Sequence, residues 1–540
     1  MTPLLQPVHP PRQHGTRLTR FVSGVLSAAL LSVSPMLLVA TGIHLKTVRG
    51  PYWLGWNSDP EYAYLFNSLL ITQGKVPFLV EHPGTPIQEL GAAVIGGLSA
   101  VRSRADLAQD VLKRPESYLA AIHLALLIVT ALLVFFAGVL VLWQAKSLLC
   151  ALLIQSAPWL SVNVIEELSR VRPDALLIGW TCLFTAVLFV VISRDATKSP
   201  RSAALLGVVV GCSIATKFTA LPLLLAPLLL LQPRQTKLLF LSITAGAFLL
   251  VISPAIPKVL SIGKWVMELA VHSGDYGSGP MSVIDPKRYL PSLLSLARHE
   301  YLAVALVLVS GVAWIALQYR SRDAPTSPDW RRVLGVVTLM QIGQFLMVAK
   351  HPAPHYLLPA IGTLGINPIL IWFSRDCLDT RTVRRLLCVV PVAVALVQVR
   401  QLHERAIALA TARADQESIA RTTQSLAQAE NCLVIYYYRS SARPYALQFG
   451  NLWSMFTGLD VVRDLQAQYP NVLFDRGGFH LRGFDWRADL DPAAVLMRPC
   501  VLLEGTTLDP SRLPSDVKAE LLFSSADETL YRLSLARRDR

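Results

Sequence analysis

The sequence contains few charged residues for its length. Charged side chains make up 16% of the 540 residues, whereas 53% are hydrophobic and the mean hydropathy is +0.45. Soluble domains do not have this composition, and the many apolar runs of about 20 residues indicate a polytopic helical membrane protein. The net charge of +14 is explained by Lys and Arg in cytoplasmic loops, so nucleic acid is a poor candidate for a partner.

Cysteine is also scarce. The seven cysteines form no CxxC pair, which leaves nothing typical of a zinc ribbon or a dithiol redox motif. Cys432 and Cys500 lie in the polar C-terminal part, and each begins a predicted strand. Neighbouring parallel strands would place them side by side, so we predict a Cys432–Cys500 disulfide in an oxidising compartment.

The long apolar runs predict the membrane segments. The run Phe21–Ile43 follows Arg12, Arg17 and Arg20 and is longer than a signal-peptide core of about 7–15 residues, so we interpret it as a first span that runs from inside to outside. Further candidate segments are 118–143, 147–164, 175–192, 202–231, 238–253, 300–318, 333–349, 356–374 and 386–400.

Basic linkers orient these segments, because Lys and Arg favour the cytoplasmic side. The basic linkers are Arg194/Lys198/Arg201, Arg234/Lys237, Arg320/Arg322/Arg331/Arg332 and Arg375/Arg381/Arg384/Arg385. All of them face inside only if Gly84–Ala100 is an interfacial or re-entrant helix and if 202–231 forms two short helices that meet near Lys217. This predicts about 11 spans, a cytoplasmic N-terminus and an extracytoplasmic C-terminus.

The residues after about 400 have a different character. A helical stretch from Gln401 to about Glu430 precedes the strands "CLVIYYY" and "CVLLEG", and "AELLFSS" with "ETLYRLSLA" reads as a final hairpin. We therefore predict a mainly α fold: a transmembrane module (1–400) with interfacial helices in its first outer loop, followed by a helix and a small extracytoplasmic α/β domain (401–540).

The stretch "WNSDPEY" places Asp59 and Glu61 on either side of Pro60, just after the first span. Its local interpretation is a helix start, with Asp59 as N-cap and an amphipathic helix lying on the membrane. Its functional interpretation makes Asp59 a general base or a metal ligand, since a helix N-terminus favours the ionised carboxylate. His82 in "EHPGTP" returns to the same surface and is a candidate substrate contact.

Cations are concentrated in two further outer stretches. In "SRVRPD", Arg170 and Arg172 suit an anionic headgroup because guanidinium binds phosphate in a bidentate way; the alternative is an Arg170–Asp174 ion pair with a helix cap. Lys217, in "GCSIATKFTALPLLL", either extends to the membrane surface or holds a lipid phosphate.

The stretch "KHPAPHY" brings Lys350, His351, His355 and Tyr356 to the outer mouth of two helices. The two prolines rule out the regular helix on which histidines four residues apart would bind zinc, so contact with phosphate or substrate is the better interpretation. The long loop 254–300 is either a connector or a lid over substrate.

Taken in order, "WNSDPEY", "EHPGTPIQ", "RVRPDALL", "GCSIATKFTALPL" and "HPAPHYLLPAIG" resemble the membrane-embedded (GT-C) glycosyltransferases that use polyprenyl-phosphate sugars. These include protein O-mannosyltransferases, the lipid A aminoarabinose transferase and enzymes of the lipopolysaccharide core. The resemblance implies an inverting hexosyl or pentosyl transfer in the bacterial inner membrane, facing the cell envelope, to a glycolipid, glycan or protein acceptor.

The resemblance also implies roles for residues. Asp59 would be the catalytic base and Glu61 its reserve, and Arg170, Arg172, Lys217 and His355 would bind the donor phosphate. The remaining candidates for substrate contact are His82, Lys350, His351 and Tyr356. The acids are Asp-Pro-Glu rather than an adjacent Asp-Glu, so no cofactor is certain and a divalent metal is left open.

A transporter or flippase for a lipid-linked or anionic substrate is the main alternative. Discontinuous helices are typical of transporters, and the break at Lys217 is the feature that favours one. The charges lie at one surface instead of mid-membrane, and the sequence has no internal repeat, so we favour the enzyme.

Overall fold

The computed structural model describes residues 17–81, 84–102, 106–273, 277–320, 329–374, 380–455, 459–475, 477–486, 489–506 and 513–535. Helices dominate these residues, as the composition predicts, and strands occur in the C-terminal part. The helices are α1 (Arg17–Arg49), α2 (Ser58–Thr72), α3 (Thr85–Arg102), α4 (Leu107–Lys113), α5 (Pro115–Ala145), α6 (Leu148–Gln155), α7 (Val162–Glu166), α8 (Pro173–Ser193), α9 (Pro200–Thr216), α10 (Leu225–Leu230), α11 (Arg234–Val251), α12 (Val259–Val271), α13 (Pro286–His299), α14 (Tyr301–Arg320), α15 (Trp330–Val348), α16 (Leu358–Thr363), α17 (Asn367–Phe373), α18 (Thr380–Ala429), α19 (Arg443–Ser454), α20 (Leu459–Gln468) and α21 (Pro492–Leu496).

Seven helical segments among the described residues are long and apolar enough to cross a membrane. They are Gly24–Arg49, Pro115–Ala145, Pro173–Ser193, Arg234–Val251, Tyr301–Tyr319, Trp330–Val348 and Pro354–Phe373. In Pro173–Ser193 83% of the most apolar stretch is buried within the protein, against 17% in Arg234–Val251. The helix α8 is therefore central to the bundle, and α11 leaves most of its apolar surface for lipid. The count of about 11 spans stays a prediction.

Two predicted segments are broken in the structure. The stretch 202–231 divides at Lys217, whose backbone is extended (φ −161°, ψ 134°), so the predicted break is confirmed. The stretch 147–164 is not one span: α6 ends at Gln155, and a 3₁₀ turn (Ala157–Leu160) precedes α7. The physical reason is a new helix start, because the Ser161 hydroxyl accepts a hydrogen bond from the Val164 amide.

The segment after α1 contains the helices α2, α3 and α4. Its first helix, α2, does not lie on a surface with one apolar face, because Ser58 and every residue from Glu61 to Leu70 are buried. The helix α19 covers it from the C-terminal side: a side chain at Gly450 would come within 2.8 Å of the Tyr62 carbonyl. The contact with α19 turns a helix of amphipathic appearance into a core helix.

The C-terminal part forms the predicted α/β domain. Its strands are β1 (Leu433–Tyr436), β2 (Val472–Asp475), β3 (Leu481–Arg482), β4 (Val501–Thr506), β5 (Val517–Ser524) and β6 (Glu528–Leu535). They form one sheet in the order β3-β2-β1-β4-β6-β5, in which β1 runs parallel to both β2 and β4. The β5–β6 hairpin lies at the edge, as the final two strand patterns predict.

The parallel pairing of β1 and β4 brings Cys432 and Cys500 together. The two residues form a disulfide, with their Cα atoms 4.6 Å apart. The sheet is connected to the bundle by α18, which runs unbroken for 50 residues. The boundary predicted at residue 400 falls inside this helix, so the division into domains stays a prediction.

Candidate functional site

Charged side chains from distant parts of the chain meet at one end of the bundle. They come from the C-terminal end of α1, the start of α2, the connection between α7 and α8, the C-terminal end of α9, and α18. Four buried acids in this cluster are Glu61, Glu166, Glu167 and Asp174. Each has a basic side chain within 4 Å, as buried charges require.

Asp59 is held by its backbone instead of its side chain. Its backbone is extended (φ −100°, ψ 121°), and its carbonyl accepts hydrogen bonds from Arg170 Nη2 and, at 3.0 Å, from Arg172 Nη2. Within the described part of the chain, no hydrogen bond joins the Asp59 carboxylate to the first turn of α2. Asp59 therefore occupies the predicted N-cap position, with an extended backbone directly before Pro60, but without the capping hydrogen bond. It is also one of the residues that line a cavity.

Glu61 is engaged with Arg170. The Arg170 Nε lies 2.9 Å from Glu61 Oε1, its Nη2 lies 3.3 Å from Oε2, and the Glu61 side chain is 1% exposed. This pairing replaces the Arg170–Asp174 ion pair offered as an alternative from the sequence. Arg170 pairs with Glu61 because α2 brings the Glu61 carboxylate directly against the Arg170 guanidinium.

Asp174 pairs with Lys217. The Lys217 ammonium lies 2.7 Å from both Asp174 carboxylate oxygens and 4.5 Å from the centre of the Tyr356 ring. The pair is buried, so Lys217 neither extends to the membrane surface nor lines the cavity beside Asp59. The break between α9 and the following 3₁₀ turn is what directs this lysine inward.

Glu166 and Glu167 complete the cluster. Arg49 Nη2 and Arg405 Nε each lie 2.6 Å from a Glu166 carboxylate oxygen. Burial alone would raise the pKa of Glu166, but the hydrogen bonds from Arg405 and the charge of Arg49 hold that pKa below its ordinary value. Glu167 lies 3.6 Å from Arg172 Nη1 and 4.0 Å from His355 Nδ1. Burial raises the pKa of Glu167, but the positive charges of Arg172, His355 and Arg170 together hold that pKa below its ordinary value.

These groups surround a cavity of about 170 Å³, which we call the arginine cavity. Five of its side chains are guanidinium groups and two are carboxylates, so the lining carries excess positive charge. It is lined by Arg49, Trp56, Asp59, Glu166, Arg170, Arg172, Arg405, Leu409 and Arg439. A concave surface with excess positive charge attracts an anion, and planar guanidinium groups suit phosphate in particular.

The cavity does not suit a divalent cation. The excess of guanidinium groups would repel such an ion, and Glu166 already accepts two arginines. In the described ranges, one group of acids, histidines or cysteines has ligand atoms close enough to share a metal: Glu430, Cys432 and Cys500. Two of its members form the disulfide, so their sulfur atoms are not free thiolates.

The structure brings some of the sequence-predicted residues together and separates others. Asp59, Arg170 and Arg172 line the arginine cavity. Glu61, Lys217, His355 and Tyr356 are not among its lining residues. Lys350 and His351 line a second cavity of about 160 Å³ with residues of the loop before α13 and of α13 itself. His82 lies outside the described residues. The roles assigned to all of these residues stay predictions.

Four charged residues of the arginine cavity were missed by sequence reasoning: Arg49, Glu166, Arg405 and Arg439. Glu166 lies three residues before the stretch "SRVRPD", in the same predicted outer turn, so its position was a usable signal. Arg405 and Arg439 belong to the C-terminal part, 239 residues or more from the Glu166 that Arg405 contacts. No local pattern marks residues that meet across such a separation.

No protein-family profile matches this sequence, and neither does any curated protein. Among solved structures, the chain is similar to the crystal structure of ArnT from Cupriavidus metallidurans bound to undecaprenyl phosphate. The two chains are 14% identical with a TM-score of 0.46, and the likeness covers 92% of this chain and 97% of that one. The likeness concerns the fold alone.

Proposed function

We propose that this protein is an integral-membrane glycosyltransferase that moves a sugar from a polyprenyl-phosphate donor to an acceptor hydroxyl. The observation that carries the proposal is that Asp59 lines the arginine cavity together with five arginines. A general base and a set of phosphate-binding cations are the two parts that this reaction needs. The site would face the extracytoplasmic side of the inner membrane, with the N-terminus in the cytoplasm.

Asp59 would act as the base. In the described residues its carboxylate has no cation within 4 Å, in contrast to Glu61, which is neutralised by Arg170. The acceptor oxygen attacks the anomeric carbon as its proton passes to an Asp59 oxygen, and the bond between that carbon and the phosphate oxygen breaks. The bonding electrons leave with the phosphate, and attack from the opposite side inverts the anomeric centre.

The arginines would stabilise the leaving group. Negative charge grows on the bridging phosphate oxygen as the bond breaks, so cations that hold it more strongly in the transition state lower the barrier. Arg172 and Arg170 also support Asp59 through its carbonyl, so the same side chains position the base and face the phosphate.

The transporter alternative loses its main support. The helix break at Lys217 favoured a discontinuous transport helix, but the Lys217 ammonium is buried against the Asp174 carboxylate. A fully paired charge at this break is a structural ion pair and does not present an open substrate-binding group. The cations that do line a cavity are those beside Asp59.

Purified full-length protein in nanodiscs, offered a panel of undecaprenyl-phosphate sugars, tests the proposal. We expect release of undecaprenyl phosphate from at least one donor, and a loss of about 1,000-fold or more in Asp59→Asn. The matched control is Asp106→Asn, because Asp106 is an exposed N-cap of α4 and asparagine caps a helix equally well. Full turnover in Asp59→Asn would remove Asp59 as the base, and no turnover of any donor by wild type would contradict the proposal.

A further inference from the structure

The loop between β1 and α19, residues 437–442, reaches from the C-terminal domain to the segment that carries Asp59. The Arg439 backbone within it is left-handed (φ 56°). A side chain at Gly55 would have its Cβ 2.0 Å from the Arg439 carbonyl oxygen, so the two backbones touch. Glycine is the residue that permits this approach.

Hydrogen bonds connect this loop to Gly55 on one side and to the strands β4 and β6 on the other. The Gly55 amide donates to the Ser441 hydroxyl oxygen at 3.0 Å. Ser441 in turn donates through its amide to Glu528 Oε2 at 2.9 Å and through its hydroxyl to Glu528 Oε1. Ser440 donates to the Glu504 carbonyl at 2.7 Å, and both serines are fully buried. The strands β4 and β6 therefore support the loop against Gly55.

This contact places the Arg439 side chain in the wall of the arginine cavity, together with Asp59. The other four arginines there have carboxylates within 4 Å: Arg49 and Arg405 contact Glu166, Arg170 contacts Glu61, and Arg172 contacts Glu167. In the described parts of the chain Arg439 has no such carboxylate, and its guanidinium lies 5.1 Å from the Tyr438 ring centre. Its positive charge is the least compensated of the five.

We propose that the C-terminal domain completes the donor site, with Arg439 as a direct ligand of the donor's phosphate and Gly55 and Ser441 as positioning residues. The inference rests on the proposed function, because it names the part of the chain that closes the same site. The ligand class is a polyprenyl phosphate, with or without its sugar. An exposed and uncompensated guanidinium can turn onto a phosphate without breaking a buried ion pair.

The test measures binding of undecaprenyl phosphate to the full-length protein in phosphatidylcholine nanodiscs. We expect Arg439→Gln to weaken binding about 10- to 100-fold, the range for a lost hydrogen-bonded contact with a charged group. Arg439→Lys should recover part of the loss, since it keeps the charge but not the fork of donors. Arg421→Gln is the matched control, because Arg421 is an exposed arginine of α18 that does not line the cavity.

The positioning role has its own readout. Gly55→Ala should push the loop away and weaken binding as Arg439→Gln does, and the double variant should bind no worse than Arg439→Gln alone. If the loss of binding in the double variant equals the sum of the losses in the two single variants, Gly55 acts independently of Arg439. That result would overturn the positioning role. Equal Tm values for wild type and the variants show that folding is retained.

The outcomes separate the two proposals. If wild type binds undecaprenyl phosphate and Arg439→Gln binds it equally well, Arg439 is not a ligand and the inference fails while the proposed function stands. If wild type does not bind it at all, both fail. Inorganic phosphate and phosphatidylglycerol are tested as competitors of bound undecaprenyl phosphate. If only added undecaprenyl phosphate displaces the bound ligand, the result supports a lipid-linked donor. If either competitor displaces it equally well, that ligand class is overturned.

Discussion

Arg170 and Glu61 form a buried ion pair, with Arg170 Nε 2.9 Å from Glu61 Oε1, at the start of α2 and two residues after Asp59. The same guanidinium donates to the carbonyls of Trp56 and Asp59, so one side chain ties together the end of the loop and the start of α2. The pair separates the two acids of "WNSDPEY": Arg170 neutralises Glu61, whereas among the described residues no cation lies within 4 Å of the Asp59 carboxylate. Because of this ion pair, we assign the role of structural anchor to Glu61 and the role of base to Asp59.

Replacement of Glu61 by glutamine should affect stability more than chemistry. The Arg170 charge would stay buried without its carboxylate, and breaking a buried pair from one side costs about 3–5 kcal/mol. We expect a clear fall in Tm in Glu61→Gln and a smaller fall in the Glu61→Gln/Arg170→Met double variant. An unchanged Tm with lost turnover would instead support Glu61 as the base.

The Lys217–Asp174 pair offers a test of whether Lys217 binds phosphate. Lys217→Met alone should lower the Tm, because it leaves the buried Asp174 carboxylate without its partner. The charge-neutral double variant Lys217→Met/Asp174→Leu should recover much of that loss and bind undecaprenyl phosphate like wild type, since Lys217 does not line the arginine cavity. Binding about 10-fold weaker in the double variant would assign Lys217 to the phosphate after all.

The C-terminal domain should lose stability as the pH rises. Burial raises the pKa of Glu528 to about 7, although hydrogen bonds from Ser441 oppose the effect, and burial beside Glu528 raises the pKa of Glu504 well above its ordinary value. The folded state thus binds protons more tightly than the unfolded chain, so its free energy of unfolding falls as the pH rises from about 4.5 to 7. Glu504 extends the fall above pH 7.

Thermal unfolding of the full-length protein between pH 5 and pH 8 measures this effect. The Tm of the transition assigned to the C-terminal domain should decrease across the range, and Glu528→Gln should flatten its lower part. The control is Glu520→Gln, since Glu520 lies on β5 in the same sheet but is solvent-exposed. A wild-type Tm that rises with pH would contradict the assignment.

The disulfide between Cys432 and Cys500 should stabilise the same domain. The bond closes a segment of 68 residues, and removal of such a link costs about 2–4 kcal/mol, mainly because the unfolded chain regains freedom. We expect Cys432→Ala/Cys500→Ala to lower the Tm of the domain and digestion of the native protein without reductant to yield the linked peptides. Free thiols at both positions in protein from its own membrane would contradict the pairing.

Much of the fold was predictable from the sequence because its determinants are local. Apolar runs define α1, α5 and α8, and Lys217 with Pro222 marks the break after α9. The β-branched and aromatic runs after Cys432 and Cys500 predict β1 and β4, whose parallel pairing joins the two cysteines. The predicted span at 147–164 failed because Ser161 starts a new helix, a choice that hydrophobicity alone does not reveal.

The site was predictable only in part. The sequence by itself determined that Asp59, Arg170 and Arg172 lie in connections near the ends of apolar segments, since hydropathy is a local property. The outward orientation of these connections stays a prediction. Only the tertiary structure decided that Arg170 forms an ion pair with Glu61 and that Asp174 forms one with Lys217. It also decided that Arg405 and Arg439 of the C-terminal part line the same cavity. Periodicity reports contacts within a few turns of chain, whereas a buried charge pairs with whichever opposite charge folding brings within reach.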